Sequence, residues 1–330
     1  MKALVLHSEK EKLMIREMPA PVPGKDEVVI ALKYAALNHL DIWIWKEQSP
    51  AEPVILGSDG SGVVHAIGDG VDRGLIGREV VINPALYWGP AQNVQSEDFQ
   101  ILGSPTNGTF AEFIVIRREY VYEKPKHLSL KEAAALPLAG LTAYRALFTK
   151  AGIKQSDKLL ITGIGGGAAL FLLQMAVAAG SSVFVTSSSE EKIKAAMALG
   201  AKGGFNYKDI NWTENAKTAA GGFDVIVDSA GGNGFASLTE VANAGARIVL
   251  FGRTAGNINN LRPGLIYNKQ LNIMGTVMGT QEEFRSMLAF YEQHNLKPVL
   301  DKEFSLEGIE NAFKYMNAGE HFGKITISIS

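Results

Sequence analysis

The stretch "KLLITGIGGGAALFLLQMAVAAG", residues 158–180, decides the fold of this chain. Its short apolar start, residues 159–161, is typical of a buried strand, and the long apolar run after it is typical of a helix. Between them, Gly163, Gly165 and Ala168 stand at G-x-G-x-x-A spacing. In a strand, loop and helix context, this spacing predicts a dinucleotide-binding turn.

A small side chain is needed at each of these three positions for a physical reason. The first glycine allows a tight turn, the second lets the backbone approach a pyrophosphate, and Ala168 is tolerated where helix and strand pack closely. The helix N-terminus offers unpaired amides and a partial positive charge to an anion. We therefore predict a phosphate-binding loop, with a turn packed only for shape as the alternative. Its predicted cofactor residues are Gly163, Gly165, Gly166, Gly167 and Ala168.

The sequence around this loop continues as short apolar strands alternating with helical segments. The patterns are "SVFVTS", "EEKIKAAMALGA", "FDVIVDSAGG" and "ARIVLFG". Such alternation indicates a doubly wound parallel sheet. We assign residues 123–268 to this domain, with Ser129 and Glu132 as a capping box at its first helix.

The two ends of the chain have a different pattern. Residues 1–122 form short β-rich runs separated by Pro and Gly, which favours an antiparallel β domain. Residues 269–330 return to β-type segments around one amphipathic helix at 280–295, and we expect them to rejoin the first domain. The glycine-rich stretch "LGSDGSGVV", residues 56–64, precedes a β-rich run and no helix, so it is not the phosphate loop.

Composition excludes several functions. The 330 residues exceed one usual core, which favours two domains, and a net charge of -2 gives no field for nucleic acid or an anionic membrane. The chain has no cysteine, which excludes disulfides, cysteine-ligated zinc, iron–sulfur clusters and thiol nucleophiles. No stretch approaches the roughly 18 apolar residues of a membrane span, and the N-terminal apolar run is too short for a signal peptide. We expect a cytoplasmic protein.

The end of the second predicted strand indicates which dinucleotide binds. NAD sites usually carry an acidic residue about 20 residues past the first glycine, whereas this chain has Thr186 and Ser187 there. Without that carboxylate a 2'-phosphate is not repelled, Ser187 and Ser188 can donate hydrogen bonds, and Lys192 follows one turn later. This favours NADPH. Alternatively, "SSEE" is a capping box in which Ser188 caps a helix and Glu191 reaches back.

These motifs, with "EVVIALKYAALNHLDIWI", "LGSDGSGVVHAIG", "AAALPLAGLTAYRAL", "MGT" and "GKITI", resemble the medium-chain dehydrogenase/reductase superfamily. Within it, they are similar to the zinc-free quinone-oxidoreductase-like branch, over nearly the whole chain. The resemblance implies an α/β protein with a GroES-like β-barrel catalytic domain, an inserted Rossmann domain and NADPH in the cleft. It also implies a homodimer, with the edge strand near "NKQLNIMGT" as the contact.

The resemblance also bears on metal binding. Zinc-containing relatives place ligands where this chain has Asn38, Ser58 and Leu138. An amide and a hydroxyl are poor zinc ligands and a leucine is none, so we expect no zinc. The four-cysteine lobe of relatives corresponds to residues 83–113 here, which we expect to form a loop beside the active site that presents Tyr87.

Further cofactor contacts are carried over from the resemblance. Asn38 matches a residue beside the nicotinamide, Thr142 matches a cofactor-contacting position, and Lys192 with Tyr207 resembles the pair that holds a 2'-phosphate. The remaining predicted nicotinamide or ribose contacts are Phe251, Gly252, Met278, Gly279 and Lys324. For each residue, packing alone is the alternative.

A metal-free site favours one kind of reaction. Without a Lewis acid to polarise an alcohol or carbonyl oxygen, hydride goes best to an electron-poor acceptor, such as a quinone or an α,β-unsaturated carbonyl. Asn38 and Tyr87 are the candidates for a hydrogen bond to the developing anion. Two alternatives stay open: a non-catalytic NADPH-binding or regulatory protein of the same fold, and a zinc-dependent alcohol dehydrogenase, which the missing ligands disfavour.

Overall fold

The structure is a computed structural model that describes residues 1–7, 13–47, 50 and 52–329. The chain forms two compact units: unit 1 comprises Met1–Leu141 and Gly279–Ser330, and unit 2 comprises Thr142–Met278. Unit 2 is therefore inserted in the sequence of unit 1. Both unit boundaries lie later in the chain than the bounds predicted after residues 122 and 268.

The elements follow one another in chain order. The strands are β1 (Lys2–Leu6), β2 (Leu13–Glu17), β3 (Glu27–Ala36), β4 (Val54–Ile55), β5 (Asp59–Ile67), β6 (Glu79–Ile82), β7 (Ala85–Leu86), β8 (Gln100–Ile101), β9 (Phe113–Arg117), β10 (Val121–Glu123), β11 (Lys158–Ile161), β12 (Ser182–Ser187), β13 (Gly203–Asn206), β14 (Phe223–Asp228), β15 (Ala242–Leu250), β16 (Asn272–Gly275), β17 (Leu300–Ser305) and β18 (Lys324–Ser328). The α-helices are α1 (His39–Glu47), α2 (Leu130–Ala134), α3 (Pro137–Tyr144), α4 (Gly167–Ala178), α5 (Glu190–Ala198), α6 (Trp212–Ala220), α7 (Phe235–Val241), α8 (Pro263–Lys269), α9 (Gln281–Gln293) and α10 (Ile309–Ala318).

Unit 1 is built on a seven-stranded sheet in the order β10-β6-β5-β3-β18-β17, with β9 also paired to β3. The long strand β3 runs antiparallel to β5, β9 and β18. Thr326 of β18 lies opposite Ala36 of β3, so the C-terminal segment does rejoin the N-terminal domain. This pairing brings the start of β18 to the end of β3, where the candidate site lies.

Unit 2 contains a six-stranded parallel sheet in the order β13-β12-β11-β14-β15-β16. Numbered within the unit, this is the strand order 3-2-1-4-5-6 of the Rossmann fold. Its central strand β11 buries Leu159, Leu160 and Ile161 completely. Helices cover both faces of a doubly wound sheet, which is why this strand is apolar throughout. The predicted Rossmann domain is confirmed.

The structure differs from the sequence prediction in several elements. The predicted tail had one helix, but the described residues contain two, α9 and α10. Residues Ile309, Phe313 and Met316 give α10 a helical apolar spacing that was present in the sequence. Strand β16 pairs with β15 in the parallel sheet, so the first strand of the tail belongs to unit 2. Helices α1, α6 and α8 were also not predicted.

The helical stretch after residue 129 is interrupted. Ser129 caps α2 and forms the predicted capping box with Glu132. Helix α2 ends at Ala134 and α3 begins at Pro137, because the residue before a proline avoids the helical conformation. Among the described residues, none of the helices has the length and apolar character needed to cross a membrane.

Candidate active site

The glycine loop of unit 2 has the geometry of an anion-binding turn. Gly163 and Gly165 have left-handed backbone, with φ of 64° and 131°. The amide of Ile164 donates to the Thr186 carbonyl oxygen at 2.8 Å, which fixes the loop to the end of β12. Helix α4 has Gly166 as its N-cap, and no side chain of the described residues caps it. Its first amides and dipole therefore suit a phosphate group.

Lys192 lies against this loop. A Cβ atom built on Gly165 would lie 2.8 Å from Lys192 Cδ and 3.2 Å from its Nζ, so the ammonium group stands beside the turn. A larger residue at position 165 would push the lysine side chain aside. The structure thus brings together Gly165, which is predicted to contact the pyrophosphate of a cofactor, and Lys192, which is predicted to contact its 2'-phosphate.

The prediction that Ser188 caps the next helix is wrong. The N-cap of α5 is Ser189, whose Oγ accepts a hydrogen bond from the Lys192 amide at 3.2 Å. Ser189 Oγ also donates to Glu191 Oε2 at 2.7 Å. Glu190 accepts from Asn206 Nδ2 at 3.0 Å. The side chains of Glu190 and Glu191 therefore both accept hydrogen bonds from neighbouring side chains.

The other predicted 2'-phosphate residues lie at the same edge of the sheet. Ser187 ends β12 and is buried, and its Oγ accepts from the Ser189 amide at 3.2 Å. Tyr207 follows β13, its amide donates to the Ser187 carbonyl oxygen at 3.1 Å, and its side chain is half-exposed. Ser188 lies between Ser187 and the cap and is partly exposed.

Asp228 is a buried acid of unit 2 that the sequence analysis did not single out. It ends β14, and its carboxylate accepts from Thr162 Oγ1 at 2.5 Å and from the Gly231 amide at 2.7 Å. Burial raises the pKa of Asp228, while these hydrogen bonds oppose the rise. Because Thr162 directly precedes Gly163, this contact ties the glycine loop to the neighbouring strand. In the sequence, the feature that could have identified Asp228 is a carboxylate at the end of an apolar strand.

The remaining predicted contacts have local roles in the structure. Thr142 Oγ1 donates to Met278 Sδ at 3.7 Å, which joins the two ends of unit 2. Gly252 packs against the Ser229 carbonyl oxygen, where a Cβ atom would overlap that oxygen. The amide of Phe251 donates to the Asp228 carbonyl oxygen at 3.2 Å. In unit 1, a Cβ atom on Gly279 would lie 2.7 Å from Leu141 Cδ1. Their roles as cofactor contacts stay predictions.

Unit 1 contains a buried polar cluster around Lys324. Its Nζ donates to the Leu37 carbonyl oxygen at 2.9 Å, to Asn38 Oδ1 at 2.6 Å and to Asp59 Oδ2 at 2.8 Å. An ammonium group has three hydrogens, and all three have acceptors. Lys324 is 3% exposed and Asp59 is fully buried. The predicted contact between Lys324 and a cofactor stays a prediction, but the ammonium already donates its three hydrogen bonds inside the protein.

Asp59 binds the other members of this cluster. Its Oδ2 also accepts from Asn38 Nδ2 at 2.9 Å, and its Oδ1 accepts from the Leu138 amide at 2.8 Å. Hydrogen bonds and an opposite charge together make a buried carboxylate tolerable. Sequence reasoning named Asn38 and Lys324 as site residues but did not identify Asp59 as their common partner.

Two further titratable groups lie beside the cluster. Asp41 is fully buried, and its Oδ2 accepts from the Asn38 amide at 2.7 Å. Burial raises the pKa of Asp41 to about 7; the Asp59 charge adds to this, whereas the Asn38 amide and Lys324 oppose it. The pKa of His39 is lowered by burial and by the Lys324 charge.

The residues of this cluster do not fit a zinc ion. The resemblance implies zinc ligands at three positions that carry an amide, a hydroxyl and an apolar side chain here, namely Asn38, Ser58 and Leu138. A cation bound between Asn38 and Asp59 would also meet the Lys324 ammonium. Among the described residues, no group of three or more His, Asp or Glu side chains is placed to hold a metal.

Tyr87 is held in an unusual conformation on the loop between β7 and β8. Its φ is 56°, a left-handed value that is uncommon for an aromatic residue. Its amide donates to the Tyr120 hydroxyl at 2.9 Å, and its carbonyl oxygen accepts from Ser96 Oγ at 2.7 Å. The Tyr87 side chain is 43% exposed, whereas Trp88 is buried against Phe99. Such strain often marks a functional position.

A Rossmann sheet inserted in a β-rich domain, with an uncapped glycine turn and a buried Asn–Asp–Lys cluster, is the architecture of a two-domain dehydrogenase or reductase. The family model described as alcohol dehydrogenase GroES-like domain matches residues 24–126, and the one described as zinc-binding dehydrogenase matches residues 167–293. The first match confirms the predicted GroES-like domain. The chain belongs to the medium-chain dehydrogenase/reductase superfamily and is an oxidoreductase of that family.

Similar proteins carry several names. The zinc-type alcohol dehydrogenase-like protein YogA of Leptosphaeria maculans is 33% identical, over 96% of this chain and 94% of that protein. Acryloyl-coenzyme A reductase of Sulfurisphaera tokodaii is 29% identical over 99% of both chains. Quinone oxidoreductase of Rattus norvegicus is 29% identical over 88% of this chain and 85% of its own.

Solved structures share the whole fold. A crystal structure of an NAD-dependent alcohol dehydrogenase has a TM-score of 0.95 and 34% identity and covers 100% of both chains. The structure of the 2-octenoyl-CoA carboxylase reductase CinF, in complex with NADP and 2-octenoyl-CoA, has a TM-score of 0.89 and 25% identity, over 99% of this chain and 87% of its own.

Proposed function

We propose that this protein is a zinc-independent, NADPH-dependent reductase that transfers hydride to a quinone or an α,β-unsaturated carbonyl. The observation that carries the proposal is the buried cluster of unit 1, where Lys324 and Asp59 hold the Asn38 amide in place of a zinc ligand set. An electron-poor acceptor needs no Lewis acid to receive hydride. It needs a hydrogen bond to the oxygen on which negative charge develops.

The chain supplies groups for both halves of the reaction. In unit 2, the N-terminus of α4 and the Lys192 ammonium offer positive charge to the phosphates of a dinucleotide. When bound, the reduced nicotinamide supplies the hydride. In unit 1, Asn38 has one side-chain N–H that is not donated within the described residues and can stabilise the developing oxyanion. The exposed ring of Tyr87 offers a second donor and a flat face for a conjugated acceptor.

The names of relatives support this acceptor class. Acryloyl-coenzyme A is an α,β-unsaturated thioester and a quinone is a conjugated dicarbonyl, and similar proteins are named for the reduction of each. NADP is the cofactor in the carboxylase reductase complex. A neighbour with higher identity is named NAD-dependent, which makes cofactor choice the first quantity to measure.

The experiment is a steady-state assay of NADPH and NADH oxidation against quinones, enones, enoyl thioesters and aldehydes. We expect turnover with at least one conjugated acceptor, a higher kcat/KM with NADPH than with NADH, and the same rates after treatment with a chelator. Alcohol oxidation, with and without added zinc, runs in parallel. Activity that disappears on chelation and returns with zinc refutes the proposal, as does tight NADPH binding without turnover of any acceptor.

We also propose that the protein is a homodimer that pairs through β16. This strand ends the order of the parallel sheet, so one of its edges is available to a second copy. Sedimentation analysis tests this assembly. A proline in place of Ile273, at the centre of β16, is expected to give a monomer, and a monomeric wild-type protein contradicts the proposal.

A further inference from the structure

We infer that the Lys324 ammonium takes the place of a metal cation in unit 1 and that the Lys324–Asp59 ion pair is a positioning device for the Asn38 amide. This inference rests on the proposed function, because the amide it positions is the proposed donor to the substrate oxygen. The pair fills the cluster where the resemblance implies zinc ligands, and it supplies the positive charge there without a metal.

The first step of the argument is the orientation of the amide. Asn38 Oδ1 accepts from the Lys324 ammonium at 2.6 Å, and Asn38 Nδ2 donates to Asp59 Oδ2 at 2.9 Å. If the amide were flipped, its NH2 group would face the ammonium and its oxygen would face the carboxylate. Both contacts would be repulsive, so the two charges select one orientation.

The second step is the count of hydrogens. The NH2 group of Asn38 has two hydrogens, and one is donated to Asp59. Asn38 is 6% exposed, and within the described residues the other hydrogen has no acceptor. The ion pair therefore leaves one N–H in a defined direction. A neutral pair could hold the amide but would not reject the flipped state by charge.

The third step is that the cluster is rigid. Lys324 begins β18, Asp59 begins β5, and both strands pair with β3, which ends two residues before Asn38. The Lys324 ammonium also binds the Leu37 carbonyl oxygen, and Asp59 Oδ1 binds the Leu138 amide. Side chains fixed by sheet register and by several hydrogen bonds keep an adjacent donor in one geometry.

The test compares Lys324→Met with the double variant Lys324→Met/Asp59→Asn. The single variant leaves a buried carboxylate without its cation, so we expect a lower melting temperature and a kcat reduced about 10- to 100-fold. The double variant removes both charges, so the melting temperature is expected to recover while kcat stays low. Because Lys324 is itself a predicted cofactor contact, the dissociation constant for NADPH is measured for both variants and kcat is compared at saturating NADPH.

The matched control is Lys46→Met. Lys46 also donates to an asparagine oxygen of unit 1, Asn317 Oδ1, at 2.7 Å, but this pair is exposed. We expect wild-type melting temperature, kcat and KM, because an exposed contact of this kind contributes little.

The outcomes separate positioning from simple stabilisation. If kcat recovers together with the melting temperature in the double variant, the charges only stabilise the fold and the inference is overturned. It is also overturned if Lys324→Met has the melting temperature and kcat of wild type, or if dialysis against zinc loads the wild type with an ion that Asp59→Asn no longer binds.

Failure of the proposed function gives a different result. In that case the wild type reduces none of the acceptors, and kcat is not measurable in any variant. The melting temperatures and zinc content then test the part of the inference that needs no turnover, namely that the Lys324 ammonium takes the place of a metal cation. A drop in melting temperature with Lys324→Met, its recovery in the double variant and no zinc uptake support that part, whereas wild-type stability of the single variant overturns it.

Discussion

Asp41 is expected to make the stability of the protein depend on pH. Burial raises its pKa from 3.8 to about 7, so the folded state keeps the carboxyl protonated where the unfolded chain has already lost the proton. At about 1.4 kcal/mol per pH unit, this difference amounts to about 4 kcal/mol. The contribution is fully present below the unfolded pKa of 3.8 and is lost as the pH rises through about 7.

The perturbation is Asp41→Asn, which keeps an oxygen to accept from the Asn38 amide but cannot ionise. Urea unfolding at about pH 5 and about pH 8 gives the free energy of unfolding of each protein. We expect the wild type to lose about 3 kcal/mol more than the variant between these values, because roughly two pH units of the titration lie in that interval.

The control for this experiment is Asp69→Asn, which changes an exposed carboxylate of unit 1. It is expected to follow the wild type at both pH values. If Asp41→Asn also follows the wild type, Asp41 does not titrate in this range and the assignment of a raised pKa is refuted.

Three further predictions concern unit 2. Lys192→Ala is expected to weaken NADPH binding about tenfold or more and NADH binding little, because only NADPH has a 2'-phosphate that loses a charged partner. Fluorescence titration measures both dissociation constants. Equal losses for the two cofactors count against a role of Lys192 in binding the 2'-phosphate. Gly165→Ala is expected to weaken the binding of both cofactors, because the φ of 131° is strained for alanine and the new methyl would displace Lys192. Unchanged binding in the same titration would show that the loop has room for the methyl group. Thr162→Val is expected to destabilise the protein by about 1–3 kcal/mol in urea unfolding, because it leaves the buried Asp228 carboxylate without one hydrogen-bond donor. An unfolding midpoint equal to that of the wild type would show that the hydrogen bond between Thr162 and Asp228 contributes little.

Local patterns of the sequence were sufficient for most strands of the parallel sheet in unit 2, although not for α6 and α8. The strand, glycine turn and helix around Gly163 are contiguous, so their periodicity and turn chemistry predict the parallel sheet directly. The capping box predicted at Ser129 formed, and α9 begins with another at Thr280 that the sequence analysis did not name. The cap of α5 shifted from Ser188 to Ser189 because adjacent serines precede the same acidic residues, and a pattern alone does not choose between them.

The cluster of unit 1 could not be predicted in the same way. Asn38 and Asp59 are 21 residues apart, and Lys324 is 265 residues from Asp59. Their contact depends on the register of β18 and β5 against β3, and a shift of one residue would turn the Lys324 side chain to the other face of the sheet. Sequence analysis identified the missing zinc ligands, but the ammonium that replaces the charge of the metal became visible only when these strands were paired.

This long-range pair is better explained by orientation than by stability. A buried ion pair gains little over well-packed apolar side chains, because desolvation of both charges offsets their attraction. Stability alone therefore does not account for Lys324 and Asp59 at the end of β3. What apolar residues could not supply is an electrostatic preference between the two flipped states of the Asn38 amide. The pair provides that preference, and it does so from strands whose register is already fixed by the sheet.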